Sequence, residues 1–322
     1  MKVIAFDTYG GPDVLHLVEA PIPEVGSHQI RLQVFAAAIN PHDVMVRAGD
    51  QEANFSSNAR APRRPGMDAA GVVDSIGADA DTDLVEGDAV IAIVDPFSAS
   101  GGAYAEYITV EVDQVVRSPP GATASEAATL PLNGLTAYGA LQALSLHSGQ
   151  TVWVTGAAGG VGGYAVQLAK TLGLNVIADA AADEVDAVRL LGADFVVARD
   201  LAQPSRPVLD IHPTGVDGIV DTALLQQRAI PALDGTGSIA VLRKPGQPGA
   251  TDINVSGTDV IVTYPVITNN LHETSQLQHL SELAGNGQLT LRVADTYPAA
   301  QAADAHRRFE KGSILGRLVL TF

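Results

Sequence analysis

Residues 151–163, "TVWVTGAAGGVGG", constrain the fold more than any other segment of this 322-residue chain. An apolar strand runs directly into a glycine-rich turn, and "GYAVQLAKTLG" follows at helical spacing. Glycines let the backbone turn tightly and let pyrophosphate oxygens approach the amides at the helix N-terminus. The next apolar strand, "NVIADA", completes the strand, turn, helix and strand order that a dinucleotide fingerprint requires. The candidate cofactor contacts are Ala158, Gly159, Gly160 and Val161 in the turn, with Val241 and Leu242 at the end of the later strand "GSIAVL".

Asp179 lies at the end of the second strand, 20 positions after Gly159. An acid at that distance accepts hydrogen bonds from the adenosine ribose hydroxyls and repels a 2′-phosphate. Asp183, Glu184 and Asp186 add negative charge, which favours NADH. Arg199, just after the third strand, is placed to reach a 2′-phosphate as a bidentate donor, which favours NADPH. Both cofactors stay open.

The segments on either side of this region read differently. Before it, "MKVIAF", "IRLQVFAAAI", "GVVDSIG" and "DAVIAIV" are short strands punctuated by glycine and proline, which suggests a β-barrel-like domain to about residue 120. "SEAATLPLNGLTAYGALQAL" then reads as a helix with Ser125 as its N-cap and Leu135, Leu141 and Leu144 on its buried side. Strands alternate with helices from there to "GSIAVL", as in a parallel sheet covered on both faces. The last stretch predicts a helix over Leu271–Ala284, a strand "LTLRVADTYP", a helix ending at Gly312 and a closing strand "GRLVLTF". The expected division is 1–122 with 266–322 as one domain and 123–265 as the other, inserted into it.

Composition narrows the chemistry. The net charge of −17 repels nucleic-acid phosphate and anionic membrane surfaces alike. No run approaches the ~18 apolar residues of a membrane span. No secretory signal is visible, so a cytoplasmic protein is expected. The absence of cysteine removes disulfides, thiolate catalysis and every metal site that needs sulfur. The eight histidines are scattered without paired ligand spacing, and no metal is expected.

The segments "AAAINPHDVMVRAG", "PGMDAAGVVDSIG", "EGDAV", "GGAYAEY", "AATLPLNGLTAYGAL", "VTGAAGGVGGYAVQLAKTLG", "LGADFVV" and "LGRLVLTF" occur in an order similar to that of the medium-chain dehydrogenase/reductase superfamily. The chain most resembles the zinc-independent, zeta-crystallin-like quinone oxidoreductase branch over essentially its whole length. The resemblance implies an α/β fold: a GroES-like β-barrel domain formed by both chain ends, a doubly wound Rossmann sheet inserted in it, and a cleft between them. It implies NADPH and a homodimer as well. It places Asn40 beside nicotinamide and substrate, Asp43 as a brace for that loop, and Thr136 near the nicotinamide ribose. Asp68 either polarises the cleft or bonds local backbone amides.

The sequence departs from the family at several places. Zinc relatives carry Gly-His-Glu where this chain has Gly66-Met67-Asp68, so the ligand histidine is absent. Met45 stands where relatives often have tyrosine, and it has no proton to give. The run "ADAAADEVDA" lacks the basic residue that NADPH-dependent members tend to have.

The leading expectation is hydride transfer from NAD(P)H to a quinone or other conjugated carbonyl, since the reduced ring spreads its negative charge and needs little acid assistance. An enone or enoyl thioester reductase is the alternative. It requires a proton donor, for which Tyr104, Tyr107 and His42 are candidates, although "GGAYAEYITV" reads the two tyrosines as strand packing. A reading of another class is a nucleotide-binding redox sensor or structural protein without turnover. The loop "RAGDQEANFSSNARAPRRPG" borders the cleft, and its Arg60, Arg63 and Arg64 either attract an acidic substrate or, the favoured reading, form a solvated cluster. "TYPVITNN" lines the cleft or forms a dimer edge.

Overall fold

The computed structural model describes residues 1–55, 62–265 and 271–322. Arg60, and most of the "TYPVITNN" segment, lie outside the described residues. In chain order the first elements are β1 (Lys2–Ala5), β2 (His16–Glu19), β3 (Gln29–Ala38), α1 (Pro41–Ala48), β4 (Asp68–Ile76), β5 (Ala89–Ile93), β6 (Tyr107–Glu111) and β7 (Val115–Arg117). There follow α2 (Ala124–Ala127), α3 (Pro131–Leu144), β8 (Thr151–Thr155), α4 (Gly160–Thr171), β9 (Asn175–Ala180), α5 (Val185–Leu190), β10 (Phe195–Ala198) and α6 (Arg206–Ile211). The last are β11 (Val216–Asp221), β12 (Leu233–Val241), β13 (Ile261–Thr263), α7 (Thr274–Gly285), β14 (Val293–Pro298), α8 (Ala302–Glu310) and β15 (Arg317–Thr321).

The chain divides into two compact units, Met1–Leu132 with Asn269–Gly287 and Leu291–Phe322, and Asn133–Thr268 with Gln288–Thr290. The first change of unit falls after Leu132, beyond the expected residue 122, because α2 packs on β3, β4 and β15 of the first unit. Ser125 is not a cap. Thr123 is, exchanging bonds with Glu126, and the helix it starts ends at Ala127. Pro131 cannot continue that helix, and begins α3 instead. The strand expected in "GGAYAEYITV" covers only Tyr107–Glu111.

In the first unit the strand order is β14-β15-β3-β4-β5-β7, with β6 also on β3. Strand β3 pairs with β4 along one edge, and with β6 and then β15 along the other. Two register shifts between β3 and β4 bend it. Alternate residues Ile30, Leu32 and Val34 point into a core shared with Phe6, Ile108 and Leu318.

In the second unit six parallel strands run in the order β10-β9-β8-β11-β12-β13. Every residue of β8 is buried, as a sheet covered on both faces requires. From β8 the chain winds outward through β9 and β10, then returns to β11 on the other side. The carboxyl ends of β8 and β11 therefore flank the point where strand order reverses, where open α/β sheets bind ligands.

Candidate active site

Within the first unit, Asn40 ends the β3 segment and caps α1. Pro41 restricts it to extended backbone, and its φ of −125° and ψ of 160° follow. Asp43, one turn into the helix, accepts the Asn40 backbone N–H on Oδ2 at 2.8 Å and the Gly66 N–H on Oδ1 at 2.9 Å. Gly66 has a φ of +110°, and a Cβ there would lie 2.6 Å from the Tyr104 ring, so no other residue presents this N–H in the same way. Asp68, the first residue of β4, accepts the Asn40 side-chain N–H at 2.6 Å and the Leu132 backbone N–H at 2.6 Å. Its observed partners are thus Asn40 and an amide 64 residues away in the chain, not local amides.

Asn40, Asp43 and Asp68 are each 0% exposed. Burial pushes the Asp43 carboxyl up to about 7, the Asn40 and Gly66 N–H groups oppose that, and the charge of Asp68 adds to it. Burial likewise raises Asp68 to about 7 against its bonds from Leu132 and Asn40 and the nearby charge of Arg317. A proton is therefore gained or lost in this group near neutral pH.

Tyr104, a proton-donor candidate in the sequence, extends the network together with three side chains that the sequence did not single out. Tyr104 Oη donates to Asp43 Oδ2 at 3.4 Å and lies 3.1 Å from His306 Nε2. His306 Nδ1 lies 3.2 Å from Arg47 Nη1, and Arg47 Nη2 donates to Glu310 at 2.5 Å. A guanidinium cannot accept a hydrogen bond, which fixes the polarity of the chain. Nδ1 of His306 accepts, Nε2 carries the proton and donates to Tyr104, and the tyrosine proton is left for Asp43. Burial, helped by the charge of Arg47, lowers His306 to about 3 and keeps it neutral.

That depression has a consequence for stability. As pH falls from 6.5 toward 3, the unfolded chain binds a proton that folded His306 refuses, so stability is lost in that window. In His306→Gln this contribution is absent. The stability advantage of the wild type over the variant, from urea unfolding, is expected to shrink steadily between pH 7 and pH 4. An advantage that stays constant or grows contradicts the neutral assignment.

In the second unit, the turn after β8 folds on a Gly159 N–H to Gly156 carbonyl bond of 3.0 Å. Gly159 caps α4, whose first turn holds Gly160 and Val161. A Cβ on Gly162 would sit 2.3 Å from the Gly156 carbonyl oxygen, so only glycine lets the helix approach the strand this closely. A helix N-terminus packed this tightly against the strand, with Gly159 as its cap, fits a pyrophosphate held on backbone amides. Ala158 is buried beside it, Val241 closes β12, and Leu242 follows half-buried. Thr136, half-buried on α3, belongs to this unit too.

Asp179 ends β9 almost fully buried, accepting the Gly156 N–H at 3.2 Å. Arg199 does not stand apart from it as an alternative phosphate donor. Its Nε bonds Asp179 at 3.1 Å and its Nη2 bonds Glu184 at 2.7 Å. Pairing of β9 with β10 brings the two together, the Arg199 N–H bonding the Ala180 carbonyl at 2.9 Å. Burial pushes the Asp179 carboxyl up, and Arg199 pulls against that. At the end of β11, Asp221 is 0% exposed and accepts from Thr155 at 2.8 Å and from the Leu225 and Gln226 N–H groups. It holds the loop beside the glycine turn, a role invisible in a stretch that reads simply as strand.

Comparison with known proteins agrees with this geometry. Residues 26–120 match the alcohol dehydrogenase GroES-like domain, and residues 191–320 match the zinc-binding dehydrogenase family. The NADPH-dependent alkenal/one oxidoreductase, chloroplastic, of Arabidopsis thaliana is 30% identical over 99% of this chain and 79% of its own. Quinone-oxidoreductase QR1, chloroplastic, of Triphysaria versicolor is 30% identical over 99% of this chain and 98% of its own. The structure of the quinone oxidoreductase from Coxiella burnetii, 28% identical, covers 100% of this chain with 99% of its own at a TM-score of 0.83. Zinc, which one family description implies, does not fit these residues. Met67 is a buried thioether, and the chain has no thiolate to offer. Glycine turn, switch-point sheet, barrel-type sheet and relatives together place the chain in the medium-chain dehydrogenase/reductase superfamily, in its zinc-independent quinone oxidoreductase-like branch.

Proposed function

We propose that the protein reduces a quinone, or a closely related conjugated carbonyl compound, at the expense of NADH. One observation carries the choice of acceptor: the polar groups around Asn40 are bonded to one another. The Tyr104 hydroxyl, a candidate proton donor, is 0% exposed and is spent on Asp43. An enone needs a proton at carbon, whereas a quinone accepts hydride with little acid assistance. The acceptor reading thus follows from what the network withholds.

When bound, the nicotinamide supplies the hydride. The amides of Gly159, Gly160 and Val161 would hold its pyrophosphate, Asp179 would receive the adenosine ribose, and Thr136 would bond near the nicotinamide ribose. Asn40 orients the acceptor, its own amide fixed by Asp68 and its backbone by Asp43. Fixed polar groups keep reacting atoms in near-attack geometry, and burial excludes water that would otherwise reorganise around them. The one proton that completes the hydroquinone, alongside the hydride, comes from solvent. The homodimer that the family resemblance implies forms part of this reading.

NADH is preferred because Asp179, Glu184 and Arg199 together carry a net negative charge, and Arg199 is already committed to the two acids. Asp179→Ala frees one edge of that guanidinium. The variant is expected to shift the NADPH-to-NADH ratio of kcat/KM upward by about tenfold. An unchanged ratio contradicts the assignment. The acceptor reading is tested by following nucleotide oxidation with 1,4-benzoquinone, 9,10-phenanthrenequinone and a simple enone. Faster turnover of the quinones supports it, while reduction of the enone alone overturns it in favour of an enone reductase. Nucleotide binding with no turnover of any acceptor overturns it in favour of a non-catalytic binder.

A further inference from the structure

In the first unit, Arg63 is held without a counter-ion. Its backbone pairs with Phe6 through bonds of 2.8 and 2.9 Å, so its position is set by the fold. Its guanidinium carbon lies 4.8 Å from the centre of the Tyr9 ring and 5.2 Å from that of Phe55. Nε is closed off from solvent with no acceptor, and the Tyr9 hydroxyl is likewise buried with no partner. Among the described residues, no carboxylate comes within ion-pair distance of Arg63. Arg31, Arg47, Arg117, Arg189, Arg199 and Arg307 each have one.

With 36 acidic side chains in the chain against 19 basic ones, there is no shortage of carboxylates for a guanidinium to pair with. Neighbouring Arg64 shows the ordinary outcome, since it donates to the carbonyls of Gly102 and Ser100. Glu52 is close enough to Tyr9 to help burial raise its hydroxyl, yet it does not pair with Arg63. The solvated cluster expected from the sequence is thus replaced, at Arg63, by a cation braced between two rings.

The braced cation is continuous with the candidate active site. Phe55 packs edge-on against Phe97 at 4.9 Å, and Phe97 against His42 at 5.6 Å. His42 stands two positions after Asn40, in the first turn of α1. A half-buried aromatic wall therefore leads from the helix that Asn40 caps to the guanidinium.

We infer that Arg63, with Tyr9, is an anion subsite, and that the acceptor is a planar conjugated carbonyl compound bearing an anionic group. The inference rests on the reductase reading for the word acceptor. A guanidinium presents parallel N–H donors to a carboxylate, sulfonate or phosphate, and two aromatic faces keep it pre-organised. The acidic surface repels such an acceptor at long range, so a local cation is what allows it to bind.

The test compares 1,4-naphthoquinone with 1,4-naphthoquinone-2-sulfonate in wild type, Arg63→Gln and Arg63→Lys. The readout is the ratio of KM values for the two acceptors within each protein, with calorimetric binding of the sulfonate alongside. The wild type is expected to favour the sulfonate by about tenfold over Arg63→Gln in that ratio, with Arg63→Lys between them. A ratio that Arg63→Gln leaves unchanged overturns the inference, including the case where both acceptors suffer equally from a lost structural brace. If neither quinone is reduced but sulfonate binding still weakens about tenfold in Arg63→Gln, the reductase reading falls and the anion subsite stands. If both quinones are reduced and sulfonate binding ignores Arg63, the subsite falls and the reductase reading stands.

Discussion

Replacing Gly162 with alanine is expected to weaken NADH binding by about 10–100-fold. The added Cβ would lie 2.3 Å from the Gly156 carbonyl oxygen, a backbone atom that cannot rotate away. The first turn of α4 must therefore move off β8, taking the Gly159, Gly160 and Val161 amides with it. A ligand held on backbone donors has no side chain to compensate for that displacement. Gly139→Ala is the control, because nothing lies within 4 Å of a Cβ at that helical position. Fluorescence titration with NADH checks both. Wild-type affinity in Gly162→Ala, with its fold intact by circular dichroism, shows that the turn does not hold the nucleotide.

The second large effect is expected at Asn40. Asn40→Ala removes the amide that Asp68 holds at 2.6 Å while leaving the backbone N–H to Asp43 in place. The loop keeps its anchor and loses the side-chain bond to Asp68. If Asn40 orients the acceptor as proposed, its loss is expected to lower kcat/KM for the quinone by about 100-fold. Nucleotide affinity is expected to stay unchanged, because the glycine turn belongs to the other unit. Steady-state kinetics with a parallel NADH titration separates the two. Equal loss of nucleotide affinity and turnover points to a folding defect, and unaltered turnover removes Asn40 from the chemistry.

Features within one short segment were legible in the sequence. The strand, turn and helix around Gly156–Gly163 follow from apolar runs and glycines, whereas the short helix α1 after Asn40 was not read from the sequence. Relations across the chain were not. Tyr104 and His306 lie 202 residues apart, and "AAQAADAHRRFEKG" gives no sign that one histidine turns inward to a buried tyrosine. Arg199 and Asp179 read as opposing votes on cofactor choice when taken singly. Register between β10 and β9, with Val197 opposite Asp179, turns them into one ion pair. Thr123 displaced Ser125 as a cap because Glu126 stands three residues after it, a spacing visible in the sequence but outweighed there by the long apolar pattern that follows.

The buried group around Asn40 also explains how the chain can do without a metal. Where zinc relatives place a histidine ligand, Met67 packs into the interior, and the remaining polar atoms are satisfied by one another. A reaction that asks for little acid or Lewis-acid help suits such a site. The most direct measurement is therefore the absorbance at 340 nm of chelator-treated protein mixed with NADH and 1,4-benzoquinone, against the uncatalysed rate. Rapid, chelator-resistant oxidation of NADH with formation of one hydroquinone per nucleotide is the expected result. Oxidation no faster than the uncatalysed reaction, or activity that appears only on adding zinc, contradicts a metal-independent quinone reductase.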